Sequence, residues 1–286
     1  MKIDILQVPY DSGMRGQRMG SGPEHFIKSG LEEYLEKRGH KVKVRAVESH
    51  EPFPLEVMTA FDLYRQLALE VRKTVEAGRM PVVLSGNCGA AAGTLAGLKE
   101  ERLGVLWLDA HGDFNTPETT PSGYLDGMGL ATASGLCWKK LSGTIPNFRP
   151  VPARQIVHAG GRSFDPEEEQ LLIESGVQVV TAAEIQNDGV SAALDPALEN
   201  LGDLARVIYL HLDLDVLDPQ QTPANHFSVP GSGLSVDTVV EMIELARSRF
   251  MIAAVGVASY DPAYDPHSRT IKAGMRLIET ALRKLN

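Results

Sequence analysis

Apolar residues fall along this chain in short runs, at residues 2–8, 81–84, 103–108, 155–159, 177–180, 207–212 and 253–257, each too brief for a helix. Such runs are the pattern of strands buried on both faces. Residues 41–47 alternate as a half-buried strand does. Between the runs, apolar residues return at helical spacing over 24–38, 55–77, 234–250 and 270–285, and 182–201 contains helical segments. A helix of small residues, AAAGTLAGL, follows Gly89 and is able to approach its neighbours closely. Strands alternating with helices predict an α/β fold in which helices wrap a parallel sheet. In such sheets binding sites form beyond the carboxyl ends of the strands.

No linker or shift in composition divides the 286 residues, so one domain spanning 1–286 is expected, long enough to bury a substantial core. The formal net charge of −9 argues against nucleic acid or an anionic membrane surface as the main partner. The opening MKIDILQVPYDSG reads as strand and loop rather than as a secretory leader, and no stretch has the apolar length of a membrane span. Cys88 and Cys137 are the only cysteines, so no disulfide framework is implied and a reducing cytoplasm is the expected home. The glycine-rich segment 13–22 lacks the spacing and the Lys-Ser/Thr of a phosphate loop; it reads as a connection or a site rim, with a helix able to begin at Pro23.

The candidate chemistry concentrates in WLDAHGDFNTPETTPSGYLDG, residues 107–127. Asp109, His111 and Asp113 alternate, and alternate side chains of an extended segment point the same way. The three therefore converge beyond the strand at 103–108. A second apolar run, in YLHLDLDVLDP, ends with Asp213 and Asp215 sharing a face. A polar loop capping a helix accounts for the first stretch alone. Two neighbouring strands that both end in carboxylates, however, repel strongly unless a cation lies between them. Five ligands, four of them carboxylates, exceed the needs of one ion and suit a two-metal site, although residue types alone do not name the ion.

Other polar residues carry weaker signals. Cys88 stands at a strand-to-helix turn, where a cysteine is commonly a packed small hydrophobe, yet a helix N-terminus would lower its pKa. Glu167, Glu168 and Glu169 read as a solvated helix start, which the helix dipole favours. His158, His211 and His226 read as structural or loop residues, with His226 placed to line the pocket after Thr222-Pro223-Ala224.

In DAHGDFNTPETTPSG, in HLDLDVLDP with the following TPA, and in the turn before the small-residue helix, all in family order, the chain resembles the ureohydrolases, which include arginase, agmatinase and formimidoylglutamase. The resemblance covers nearly the whole chain. It implies a three-layer α/β/α sandwich with a mostly parallel sheet, assembled in trimers or hexamers. It also implies two Mn2+ ions bridged by a hydroxide that attacks a guanidinium or amidine carbon of a small-molecule substrate. Carried over by motif, Asp109, Asp113 and Asp213 bind the first metal, and Asp109, His111, Asp213 and Asp215 bind the second.

Three departures bear on activity. Cys88 stands where the family has a His ligand of the first metal, and a thiolate is softer than Mn2+ prefers, so another divalent metal or a single occupied site is an alternative. Asp126 stands where arginase has a proton-shuttling His, a task open to a carboxyl of raised pKa. Ser259 replaces the Glu that meets the guanidinium, while nearby Asp261 aligns with an Asn and has no assigned role. The amino-acid end is better kept. Asn115, Thr120 and Ser122 match the positions that hold an α-carboxylate and Asp165 an acid near the α-amine, whereas Tyr124 replaces a small amide and Ser163 another acid. The expected activity is hydrolysis of a C–N bond in an arginine-like amino acid with a modified guanidine, such as N-hydroxyarginine. The alternatives are a mononuclear deacetylase-type enzyme using Asp109, His111 and Asp215, and a metal-binding relative without turnover.

Overall fold

The computed structural model describes residues 1–50, 55–98, 100–229, 231 and 233–283. The chain opens with β1 (Lys2–Val8) and a small hairpin, β2 (Tyr10–Asp11) and β3 (Met14–Arg15), followed by α1 (Gly22–Lys28) and α2 (Leu31–Glu36). The single helix expected over 24–38 is thus two, because Gly30 adopts φ of 89° and turns the chain. Next come β4 (Lys41–Ala46), α3 (Glu56–Glu76), β5 (Met80–Ser85), α4 (Ala90–Gly97) and β6 (Leu103–Leu108). After the long 109–128 segment lie α5 (Gly129–Ala133), α6 (Lys139–Ser142), β7 (Ile156–Gly161), α7 (Pro166–Ser175), β8 (Gln178–Thr181), α8 (Ala182–Asp188) and α9 (Val190–Leu204). The chain finishes with β9 (Val207–Asp213), α10 (Val236–Arg249), β10 (Met251–Ala258) and α11 (Arg269–Leu282). Of the helix expected over 270–285, residues 284 and 285 lie outside the described residues.

Eight strands form one sheet in the order β4-β1-β5-β10-β9-β6-β7-β8, and every neighbouring pair is parallel. Alternate strand residues feed two cores. Ile3, Ile5, Val82, Leu84, Leu106 and Leu108 pack with Phe26, Leu31, Leu194, Ile243 and Ile278 on one side. On the other, Leu6, Val8, Val83, Val105 and Trp107 pack with Phe61, Leu67, Ala92 and Leu95. Helices therefore cover both faces, and the fold is the expected α/β/α sandwich. Among the described residues no helix is long and apolar enough to cross a membrane.

The loops that follow β5, β6, β7, β9 and β10 all leave the sheet at its carboxyl end, which gathers the candidate residues. One glycine sets how closely the hairpin segment lies against the turn after β5. A Cβ on Gly86 would fall 2.2 Å from the Tyr10 carbonyl oxygen and 2.8 Å from the Gly20 nitrogen. Both are backbone atoms, so the loop itself has to move. Gly86→Ala is expected to lower unfolding free energy by about 1–3 kcal/mol in urea titration; an unchanged midpoint would show that the loop gives way freely.

Candidate metal centre

β6 delivers Asp109, β9 ends in Asp213, the short 3-10 turn Leu214–Val216 carries Asp215, and the turn between β5 and α4 carries Cys88. Two groups of donors result, Cys88 with Asp109 and Asp213, and Asp109 with His111 and Asp215, each with its donor atoms within 4.8 Å of one another. Asp109 belongs to both. Asp113, expected beside the first group, lines the same cavity but is not part of either group; its backbone has φ of 51°, and its buried Oδ2 has no hydrogen-bond partner.

The cluster is fixed by short local bonds. Asp109 Oδ1 accepts from the His111 amide at 2.7 Å and Oδ2 from the Trp107 indole at 3.0 Å. Asp213 Oδ1 accepts from the Asp215 amide at 2.8 Å, and Oδ2 from the Cys88 thiol at 3.0 Å. Arg162 donates to the carbonyls of Asp215, Val216 and Leu217, which pins the turn bearing Asp215.

Burial and neighbouring carboxylates hold the Asp113 and Asp213 carboxyls well above the usual range. Although burial opposes it, the charge of His111, 3.2 Å away, keeps Asp215 well below that range. Burial likewise pushes His111 down, but Asp215 and Asp109 carry it up to about 12. These carboxylates demand a cation, which an imidazolium or a metal ion supplies. The orphaned Asp113 oxygen and the hard oxygen donors, joined by one imidazole and one sulfur, fit divalent metal ions. Cys88 departs from the expectation of a lowered pKa: burial first, and then Asp213, push its thiol well up.

Above the cluster opens a cavity of about 290 Å³ lined by Asn115, Thr120, Ser122, Asp165 and Ser259 together with Asp113 and Asp126. The structure brings all these candidate residues together. Asn115 Nδ2 donates to Asp165 at 2.8 Å, and Thr119 donates to Asn115 Oδ1 at 3.0 Å. Asp126 accepts from Asn87 Nδ2 at 2.7 Å and from the Gly89 amide at 3.2 Å, and burial raises its carboxyl to about 7. Tyr124 donates to buried Asp11 and leans on Phe227, ring centroids 5.1 Å apart. Ser259 Oγ lies 3.4 Å from Cys88 Sγ. Asp261 is not part of the lining; its carboxylate caps the turn Pro262–Tyr264 through the Ala263 amide.

Several expectations change. His226 is exposed and stacks on Phe227, which lines the cavity in its place. His158 and His211, read as structural or loop residues, are buried and belong to neither donor group. Asn225, unnoticed in the sequence, bonds the Ser259 carbonyl at 2.7 Å and reaches Asp215 Oδ2 at 3.5 Å. Glu168 is not solvated: it is buried, lines the cavity, and accepts from the Phe114 amide at 2.8 Å and the Asp165 amide at 3.2 Å. The spacing of Asp165 and Glu168, a capping box, was the overlooked signal. Glu168→Ala leaves the Phe114 amide without its acceptor and is expected to lower stability by about 1–3 kcal/mol in chemical denaturation. Wild-type stability in that variant would refute the bridge.

The arginase family model matches residues 1–283. The arginase of Bacillus subtilis is 32% identical over 99% of this chain and 98% of its own, and that of Bacillus caldovelox 30% identical over 96% of each. A crystal structure of Bacillus subtilis arginase superposes with a TM-score of 0.91 at 30% identity, covering 100% of this chain and 99% of that one. With the sandwich, the Asp-His-Asp and Asp-Leu-Asp donors and these likenesses in agreement, the chain belongs to the arginase family.

Proposed function

We propose that the chain hydrolyses the distal C–N bond of an α-amino acid carrying a modified guanidine, with N-hydroxyarginine as the leading substrate. Two divalent ions, Mn2+ first, would be held by Cys88, Asp109, His111, Asp113, Asp213 and Asp215. Bound there, such ions supply a water acidified to near neutrality as the nucleophile. The remaining roles fall to the chain. Asn115, Thr120, Ser122 and Asp165 form a polar rim suited to an α-carboxylate and an α-amine. Asp126 would hand a proton to the leaving nitrogen.

The observation that carries this reading is Ser259, a neutral hydroxyl beside the Cys88 thiol on the cavity floor. A guanidinium needs a counter-charge when taken from water. N-hydroxylation withdraws electrons and lowers that basicity, and Ser259 is able both to donate to and to accept from the added N–OH. One observation favours a second reading, a mononuclear deacetylase-type centre: Asp109, His111 and Asp215 form a complete donor group without Cys88.

Purified protein loaded separately with Mn2+, Co2+, Ni2+ or Zn2+ decides between them. Metal analysis is expected to give about two ions per chain, falling to about one in Cys88→Ala. N-hydroxyarginine should yield ornithine and hydroxyurea with kcat/KM about tenfold or more above that for arginine. About one ion in the parent, rising to about two only in Cys88→His, would favour the mononuclear centre; arginine as the better substrate would sink the modified-guanidine assignment. Tyr124→Asn, which restores the small amide, is expected to raise arginine turnover, read in the same assay.

A further inference from the structure

Trp107 is wholly buried near the end of β6, two residues before Asp109, and its role is not exhausted by packing. Its Nε1 donates to Asp109 Oδ2 at 3.0 Å, while Oδ1 is held by the His111 amide. Together these bonds leave the carboxylate a single orientation.

The indole is itself held. His211, its register partner on β9, lies face to face with it, ring centroids 3.6 Å apart and planes 15° from parallel. The Tyr209 hydroxyl meets His211 Nδ1 at 2.9 Å. That hydroxyl sits against β10 at Gly256, where a Cβ would fall 2.0 Å from it. Among the described residues, buried His211 Nε2 has no hydrogen-bond partner.

We infer that Trp107 is a positioning residue for Asp109, the donor common to both groups, and that His211 and Tyr209 fix the plane of its indole. The inference rests on the metal-centre reading above. Outer partners that orient ligand groups tune metal affinity. Because Asp109 is shared, release of its Oδ2 weakens both ions together, whereas a change at Cys88 or His111 touches one group.

The test is metal binding, not turnover. Trp107→Phe keeps an aromatic ring against His211 and removes the N–H. By calorimetric titration it is expected to lower the affinity of both ions about 10–100-fold, with Tyr209→Phe lowering both by less. Only two tryptophans are present, so Trp138→Phe leaves Trp107 as the sole indole, and its emission should shift as metal binds the carboxylate it touches. Folded Trp107→Phe that binds both ions as tightly as the parent, or loses affinity for one ion alone, overturns the inference. So does Trp107 emission unmoved at metal saturation, a measurement that stands even where Trp107→Phe fails to fold. A parent that binds no metal overturns the metal-centre reading along with this one, whereas the other failures leave that reading intact.

Discussion

Asp109, Asp213 and Asp215 are buried side by side at the ends of two hydrogen-bonded strands, and carboxylates removed from water at such range repel. The sheet cannot relieve this by spreading, because β6 and β9 are paired from Leu103 and Val207 up to Leu108 and Leu212. Relief has to come from positive charge or from donors brought to the strand ends. Much of the architecture beyond the sheet supplies them: the His111 ring, the Trp107 indole, the amides of His111 and Asp215, and the Asn225 amide.

The same constraint shapes the loops. Asp215 reaches the cluster only because a short 3-10 turn follows β9, and Arg162 holds that turn by three carbonyls from a loop beyond β7. Glu168, at the start of α7, ties Phe114 to Asp165 and so joins the loop bearing His111 and Asp113 to the cavity rim. The segment bearing the candidate donors and the rim of the cavity are thus tied together through Glu168.

The alternation of Asp109, His111 and Asp113, and the pairing of Asp213 with Asp215, are local and legible in sequence, but strand geometry does not carry them all: Asp113 has φ of 51° and stands outside both donor groups, and Asp215 rides a 3-10 turn. The parallel sheet wrapped by helices was legible because seven of its strands are short apolar runs and β4 alternates, whereas the small β2–β3 hairpin gave no such signal. What escaped depends on contacts between distant segments. Glu168 has the spacing of a capping box with Asp165, but its bond to the Phe114 amide, 54 positions away, has no local sign. Asn225 sits in a loop whose course no periodicity sets. The thiol of Cys88 is governed less by the helix it precedes than by its burial and then by the carboxylates around it, which arrive from β9 and the 109–128 segment.

Cys88 and Ser259 show how such distance matters for function. They are 171 positions apart in the chain, follow adjacent strands β5 and β10, and meet at 3.4 Å. In the family pattern these positions carry an imidazole and a carboxylate, one serving the metal and the other the substrate. A thiol that donates to Asp213 and a hydroxyl within reach of the same thiol instead form one neutral patch in place of a charged one. On the function proposed above, that patch would change the metal's donor and the substrate's counter-charge together, since a cationic guanidinium would be left facing it without a partner.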